Sequence, residues 1–252
     1  MTTPARKPVP WFEVLTRRPA AKYRMFCFPF AGGGSAAYRG WSAALPESVE
    51  LVACQLPGRE NRIAEEFVTD IARVVDILQD EIAPYLDRPF VFFGHSMGGS
   101  ICFELARRLL RDGTAHNLRK VLVSACRPPH RRDEREYIGR LPEKEFIARL
   151  KDLDGTPDEF FQMPELMEVF IPILRADFCL AESYVHYEAP ALPVALEALA
   201  GIDDSISLDH MAEWRRYTRA DFRLTAFNGG HFFINSQRAL VLDALQAALN
   251  RP

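Results

Sequence analysis

The chain has 252 residues, and its 31 basic and 34 acidic side chains leave a net charge of −3. Hydrophobic residues make up 48% of it and charged residues 26%, which is typical of a globular protein and excludes a disordered, collagenous or coiled-coil chain. Such a balanced charge gives no general attraction to nucleic acid or to an anionic membrane. No apolar stretch reaches the about 18 residues of a membrane span, and the basic N-terminus lacks the apolar segment of a secretory signal. We therefore expect a cytoplasmic, monomeric protein of one domain, residues 1–252, with neither a nucleic-acid nor a membrane partner.

Six compact apolar runs, rich in Val, Phe and Leu, predict β-strands. They cover residues 25–30, 51–56, 90–93, 121–126, 194–200 and 223–227. Because the runs lack polar alternation, they suit strands that are buried on both faces, as in a parallel sheet. Between them, helical stripes lie at 71–82, 101–109 and about 236–249. This alternation predicts an α/β fold with a mostly parallel, doubly wound sheet.

The segment 127–188 interrupts the alternation, because it contains no convincing strand and its helix-like pieces are broken by prolines. Its apolar side chains repeat every four residues at Leu166, Phe170, Leu174 and Phe178. Pro172 falls within this stripe and is expected to kink or restart the helix. A long helical insertion between two strands predicts a lid over the site. A second small helical domain with no role at the site is the alternative.

The five cysteines are scattered singly through apolar runs, without a Cys-x-x-Cys pair. They are Cys27, Cys54, Cys102, Cys126 and Cys179. An odd number in this arrangement predicts buried, reduced thiols and neither a disulfide framework nor a zinc site.

The motif FFGHSMGGS contains a candidate nucleophile, Ser96, at the centre of Gly-x-Ser-x-Gly. A predicted strand ends directly before it and a predicted helix follows, which is the context of a nucleophile elbow. Gly94 and Gly98 suit the close backbone approach of such a turn. The helix N-terminus would then direct the Met97 N–H toward negative charge. A glycine-rich turn with an incidental serine is the alternative.

A catalytic serine requires a base and an acid, which follow it in this fold in the order Ser, acid, His. His231 comes directly after the last predicted strand, where a loop can bring its imidazole to the sheet edge; a packing histidine is the alternative. Asp203 and Asp204 follow Gly201 in one turn, and the Gly-x-x-Asp spacing favours Asp204 as the residue that orients the imidazole. His95 adjoins the serine but points away from the site by strand alternation, so we expect it to be structural.

The loop after the first predicted strand, FPFAGGGSAAY, is glycine-rich and offers flexible backbone. The N–H of Ala31, or that of Phe30, can therefore face the Met97 N–H and complete an oxyanion hole. A phosphate-binding loop is the rival interpretation. It is disfavoured because the loop lacks both the Gly-x-Gly-x-x-Gly spacing and the Lys-Ser/Thr pair of nucleotide-binding loops.

Six motifs together resemble the type II thioesterases that accompany non-ribosomal peptide and polyketide synthases, which are members of the α/β-hydrolase superfamily. They are FCFPFAGGGSAAYRGW, LPGRENR, FGHSMGG, ILRADFCLAESYVHY, AGIDD and FNGGHFF, in order through nearly the whole chain. The family nucleophile and histidine match Ser96 and His231, and its aspartate matches Asp204, ten residues before Trp214. Where the family loop often reads Pro-His-Ala-Gly-Gly, Phe30 replaces the histidine, which leaves the backbone chemistry intact but changes the pocket wall.

The resemblance implies a stand-alone editing hydrolase that removes wrong acyl groups from the phosphopantetheine arm of acyl- or peptidyl-carrier domains, without a metal or cofactor. The expected substrate pocket is formed by Phe30, Phe170, Leu174 and Phe178. Because the family's carrier domains are acidic, Arg131 and Arg132 are candidates to contact them, unless neighbouring carboxylates neutralise these arginines. A small-molecule carboxylesterase with the same catalytic residues is one alternative function. A non-catalytic binding protein on the same fold is another.

Overall fold

The computed structural model describes residues 10–134, 136–153 and 158–251. Within these residues, the strands are β1 (Phe12–Thr16), β2 (Tyr23–Phe28), β3 (Val49–Cys54), β4 (Phe90–His95), β5 (Leu118–Ser124), β6 (Ala195–Gly201) and β7 (Phe222–Phe227). They form one sheet in the order β1-β3-β2-β4-β5-β6-β7. Only β1 runs antiparallel to its neighbour in this described sheet, so the predicted mostly parallel sheet is confirmed.

The six predicted strands correspond to β2–β7, with ends displaced by up to three residues. The sequence reading missed β1, which pairs with β3 through Phe12 opposite Cys54. After Phe12, the residues of β1 are only half-buried, because the strand lies at the sheet edge. An edge strand of this kind lacks the continuous apolar run that identifies a central parallel strand.

Helices cover both faces of the sheet. On one face α2 (Ile71–Ile82) and α3 (Met97–Arg111) pack against alternate strand residues such as Phe90 and Phe92. On the other face α1 (Ala36–Arg39) and α8 (Arg238–Asn250) pack against Val91 and Phe93. Successive residues of a strand point to opposite faces, so β4 is apolar from Phe90 to Phe93, and the doubly wound prediction is confirmed.

The segment between β5 and β6 carries helices α4 (Glu143–Asp152) and α5 (Pro164–Glu182) and 3₁₀ turns at Pro129–Glu134 and Asp158–Gln162. No strand occurs among its described residues. Pro157, one of the prolines expected to break its helices, lies outside the described residues. α5 continues through Pro172, so the expected restart of the helix there is wrong. Pro172 is exposed, and water can solvate the carbonyl that loses its N–H partner.

The insertion has an apolar cluster of its own, formed by Ile138, Phe146, Leu150, Ile171 and Leu174. The remaining short elements are α6 (Leu208–Ala212), α7 (Phe233–Ser236) and the 3₁₀ turns Glu60–Arg62, Ala83–Tyr85 and Glu213–Tyr217. All five cysteines carry free thiols, and all except half-buried Cys179 are buried. In the described part of the chain, no helix combines the length and apolarity that crossing a membrane requires.

Candidate active site

The turn between β4 and α3 holds Ser96 in a strained backbone conformation. Ser96 alone separates the strand, which ends at His95, from the helix, which begins at Met97. Its φ of 54° and ψ of −114° lie outside the regions that a serine normally adopts. The Ser96 N–H donates to the carbonyl of Ser124 on the adjacent β5, at 2.8 Å. This geometry is that of a nucleophile elbow.

Two glycines permit the elbow because backbone passes where a side chain would begin. A Cβ on Gly94 would overlap the carbonyl oxygen of Gly98, and one on Gly98 would overlap that of Phe28. Since the obstructing atoms belong to the backbone, they cannot move aside without displacing β2 or α3. The predicted requirement for glycine at both positions is thus explained sterically.

Ser96, His231 and Asp204 form a continuous hydrogen-bonded chain. The Nε2 atom of His231 lies 2.9 Å from Ser96 Oγ, and its Nδ1 lies 2.9 Å from Asp204 Oδ2. An ionised carboxylate only accepts hydrogen bonds, so Nδ1 carries the proton and donates to Asp204. That tautomer leaves Nε2 free to accept the hydroxyl hydrogen of Ser96. The imidazole is therefore placed to take the serine proton.

The carboxylate of Asp204 is only 1% exposed, whereas the side chain of His231 is 28% exposed. Burial by itself would raise the pKa of Asp204. The hydrogen bond from His231, its charge and the N–H of Ile206 outweigh burial, so the pKa lies below the ordinary aspartate value. Asp204 therefore stays ionised at neutral pH and favours a positive charge on the neighbouring imidazole.

The neighbouring Asp203 is exposed, and its carboxylate bonds to a group other than His231. Its carboxylate accepts a hydrogen bond from the N–H of Gly229, which closes the turn between β7 and the His231 loop. Of the two aspartates that the sequence offered, the structure brings Asp204 to the histidine.

His95 is buried, and its Nδ1 lies 2.9 Å from Ser124 Oγ. Its ring centroid is 5.3 Å from that of His231. Burial, and then repulsion from His231, hold the pKa of His95 well below the ordinary histidine range. His95 consequently remains a neutral packing group behind the imidazole of His231.

A cavity of about 430 Å³ opens beside Ser96 and His231. Ala31 and Met97, the two expected oxyanion donors, both line it. Phe30 also lines it, with its ring 5.2 Å from that of Phe232, so the residue at the family's histidine position forms part of the wall.

Helix α5 contributes Leu174 and Phe178 to the same cavity, but the rest of the predicted stripe lies elsewhere. Phe170 is 38% exposed, and its ring packs against Phe160 outside the cavity lining. Leu166 is likewise exposed and absent from the lining. The expectation that Phe170 lines the pocket with Leu174 is therefore corrected: α5 presents only its C-terminal half to the site.

The two arginines considered for contact with an acidic partner are both engaged within the chain. Arg131 forms a bidentate pair with Glu213, with both N–O distances 2.7 Å, and also contacts Glu134. Arg132 is buried against Ser100 and Cys126, with its guanidinium over the ring of Tyr184. Arg131 is partly exposed but its charge is neutralised by two carboxylates, and Arg132 is buried, so this geometry does not support the expected docking role.

One feature of the site was not foreseen from the sequence. Asp177 of α5 forms a buried ion pair with Arg59 and accepts a hydrogen bond from the Gly32 N–H, beside Ala31. The pair joins residues 118 positions apart. Its only local signal was a carboxylate in a largely apolar helix, since Ile173, Leu174, Ala176 and Leu180 surround it in sequence.

Comparison with known proteins agrees with the serine-centred elbow. The family model described as "Thioesterase domain" matches residues 23–249. The chain belongs to the thioesterase family. It is accordingly a hydrolase that acts on thioesters, and its fold is of the α/β-hydrolase type found in such thioesterases.

Relatives come from peptide and polyketide biosynthesis. Linear gramicidin dehydrogenase LgrE of Brevibacillus parabrevis is 38% identical over 91% of this chain and 88% of its own length. Thioesterase PikA5 of Streptomyces venezuelae is 35% identical over 90% of this chain and 81% of its own length. The type II thioesterase BorB from the borrelidin biosynthetic cluster superposes with a TM-score of 0.86 at 33% identity, over 95% of this chain and 98% of BorB. The elbow and the matched family agree with the thioesterase names and not with the name dehydrogenase.

Proposed function

We propose that the protein hydrolyses acyl thioesters carried on the phosphopantetheine arm of carrier domains, and that Ser96, His231 and Asp204 are its catalytic triad. The observation that carries the proposal is the chain of two 2.9 Å contacts from Ser96 Oγ through His231 to Asp204 at the cavity wall. The names of the relatives support the substrate class, because GrsT belongs to gramicidin S biosynthesis and PikA5 is a thioesterase.

In the first half-reaction, His231 Nε2 takes the proton of Ser96 while Oγ attacks the thioester carbonyl carbon. The carbonyl oxygen becomes an oxyanion, which the N–H groups of Ala31 and Met97 stabilise. Met97 begins α3, so its N–H also benefits from the positive end of the helix dipole. Collapse of the intermediate breaks the C–S bond, and the pantetheine sulfur leaves as a thiol after protonation by the imidazolium.

In the second half-reaction, water attacks the acyl–Ser96 ester and gives up a proton to His231 Nε2. The same oxyanion donors stabilise the second tetrahedral intermediate. Its collapse releases the carboxylic acid and returns the proton to Ser96 Oγ. Throughout, Asp204 keeps the imidazole in the tautomer that accepts at Nε2 and stabilises its protonated form.

The segment 127–188 is proposed to act as a lid that limits the size of the acyl group. Leu174 and Phe178 from α5 and Ile138 and Leu150 from the same insertion line the cavity next to Ser96. The cavity of about 430 Å³ lies within the about 300–1,000 Å³ of ordinary ligand pockets. Because these side chains line it, the alternative of a helical domain with no role at the site is disfavoured.

The direct test compares wild type with Ser96→Ala on acyl-carrier protein and on a simple aryl ester. Ser96→Ala is expected to fold normally and to lose activity on both, leaving at most the about 10³–10⁴ acceleration over water that binding and an oxyanion hole supply. Wild type is expected to prefer the carrier substrate. Turnover close to wild type in Ser96→Ala would refute the triad, and a preference for the ester would favour a carboxylesterase. A cytoplasmic location stays a prediction from the sequence.

A further inference from the structure

Asp177, in the middle of α5, forms a bidentate ion pair with Arg59. The Arg59 Nη1–Asp177 Oδ2 distance is 2.5 Å and the Nη2–Oδ1 distance is 2.6 Å. The two side chains are 5% and 2% exposed. A planar guanidinium on a carboxylate in this geometry fixes the orientation of both groups.

The pair also holds the loop that contains Ala31. The Gly32 N–H donates to Asp177 Oδ2 at 2.7 Å, and Arg59 Nη1 donates to the carbonyl of Gly33 at 3.0 Å. The backbone directly after Ala31 is thus tied by its N–H to Asp177 and by its C=O to Arg59. A Cβ on Gly32 would lie 2.7 Å from Leu174 Cδ2, so the loop is also packed tightly against α5.

A stabilising role alone does not account well for this arrangement. Buried ion pairs cost desolvation energy, and well-packed apolar residues in their place are often equally stabilising. An apolar residue at 177 would nevertheless leave the half-buried Gly32 N–H without its acceptor. Through its hydrogen bond with the Gly32 N–H, the carboxylate fixes the position of the loop, which an apolar side chain cannot do.

We propose that Asp177 is a positioning residue for the reaction: by fixing the Gly32 N–H and Arg59, it orients the adjacent Ala31 N–H toward the oxyanion. The proposal rests on the proposed function, in which Ala31 is an oxyanion donor. It makes α5 a part of the catalytic apparatus as well as a cavity wall. A displacement of α5 would therefore change transition-state stabilisation together with pocket shape.

The first test is Asp177→Asn, assayed with an acyl thioester of free pantetheine so that carrier docking plays no part. Three donors face the two oxygens of Asp177, so an amide NH₂ in place of one oxygen sets a donor against a donor. The expected result is a fall in kcat of about 10- to 100-fold, below the about 10²–10³ cost of deleting an oxyanion donor. KM should change less than about 2-fold, because the interaction acts in the transition state.

The matched control is Glu197→Gln. Glu197 forms a similarly buried pair with Lys120, at 3.0 Å, in neighbouring strands of the sheet. Removing the charge of Glu197 also leaves a buried cation, Lys120, without its carboxylate partner. The hydrogen-bond partners of Glu197 lie outside the Ala31 loop. Glu197→Gln is expected to lower the melting temperature and leave kcat within about 2-fold of wild type.

The second readout is binding of an alkyl boronic acid, whose tetrahedral adduct with Ser96 places an oxygen at the oxyanion position. In Asp177→Asn its affinity should fall by the same factor as kcat/KM. Arg59→Lys keeps the charge and loses the bidentate fork, so a smaller fall in kcat, several-fold, is expected. If Asp177→Asn does not fold, Arg59→Lys is used to test the proposal in its place.

The positioning role would be established if Asp177→Asn lowers both kcat and the affinity for the boronic acid, while the kcat of Glu197→Gln stays close to wild type. Unchanged kcat in folded Asp177→Asn, equal losses in the Glu197→Gln control, or a change confined to KM would each overturn it. Ser96→Ala in the boronic acid assay reports on the proposed function separately. Undiminished binding by Ser96→Ala would refute the serine nucleophile, and the Asp177 proposal with it.

Discussion

The two walls of the cavity are built in different ways. The sheet wall carries Ser96, Asp204 and His231 on turns at the ends of β4, β6 and β7, each held by neighbouring strands. The helical wall comes from α5, which turns Leu174 and Phe178 inward while Phe170 remains exposed. In the proposed reaction, the sheet wall fixes the reacting atoms, whereas the helical wall shapes the space for the acyl group.

The difference lies in what constrains each wall. At the elbow, backbone atoms obstruct any side chain on Gly94 or Gly98, so the geometry admits almost no substitution. Along α5 the constraint is side-chain packing, which tolerates changes of similar volume. Changes on the sheet wall should therefore abolish activity, and changes on the helical wall should alter selectivity; Asp177 is proposed as the exception.

The largest effect is expected from Asp204→Asn. The uncharged amide does not stabilise imidazolium, and its NH₂ can donate to Nδ1 and so impose the wrong tautomer, so kcat should fall about 10⁴-fold, as for the aspartate of a serine triad. Asp203→Asn is the matched control, since the Asp203 carboxylate accepts from the Gly229 N–H whereas His231 Nδ1 bonds to Asp204, and its kcat should stay close to wild type. Steady-state hydrolysis of an acyl thioester measures both. The reverse ranking would move the acid to Asp203.

An intermediate effect is expected from Phe178→Ala, because its ring lines the cavity and packs edge-on to Phe146 at 5.8 Å. Truncation enlarges the acyl site, so the ratio of kcat/KM for a long over a short acyl chain should rise about 10-fold, the lower end of the about 10- to 200-fold that one methylene is worth in an apolar pocket. Phe170→Ala removes the same ring outside the cavity and should leave the ratio unchanged. A ratio that changes equally in both variants would contradict the assignment of the two halves of α5.

The smallest effect is expected from Glu213→Gln, which weakens the ion pair between Glu213 and Arg131 at the start of the insertion. The hydrogen bond from Arg131 is the main cause that lowers the pKa of Glu213 to about 2, assisted by His130 and opposed by burial. A depressed carboxyl pKa stabilises the folded state above the unfolded value of about 4.3 and loses this contribution as the pH falls toward 2.

The pair is close to the surface, so the free energy of unfolding at pH 7 should fall by only about 1 kcal/mol or less. Thermal melts of wild type and Glu213→Gln should differ by about 2–4 °C or less at pH 7 and converge as the pH falls toward 2. The exposed Glu66→Gln serves as the control. A difference that grows on acidification would show that the pair does not stabilise the fold in this way, and kcat should be unaffected in either variant.

Local sequence signals located the strands of the core and the catalytic candidates. β4 reads as a buried strand because both faces of a central parallel strand meet helices, and Ser96 is identifiable because the elbow demands glycines at fixed spacing around it. The edge strand β1 has no such signal, since its side chains are only half-buried.

The prediction that Phe170 lines the pocket failed because of the geometry of an α-helix. A repeat of four residues advances about 400° at 100° per residue, so each member is rotated about 40° from the last. From Leu166 to Phe178 the rotation totals about 120°, and the rise of about 18 Å carries the first members beyond the cavity. The apolar spacing is visible in the sequence, but the position of α5 over the site determines which of its residues line the cavity.

What the sequence determined by itself is therefore what local chemistry demands: the strand–turn–helix around Ser96, the apolar strands, and the order of serine, aspartate and histidine. Tertiary structure decided which side chains meet. Asp204 and not Asp203 reaches His231, Arg131 binds Glu213, and Asp177 binds Arg59. These partners lie far apart along the chain, and only the packing of α5 and the strand ends against the sheet brings their charges within hydrogen-bonding distance.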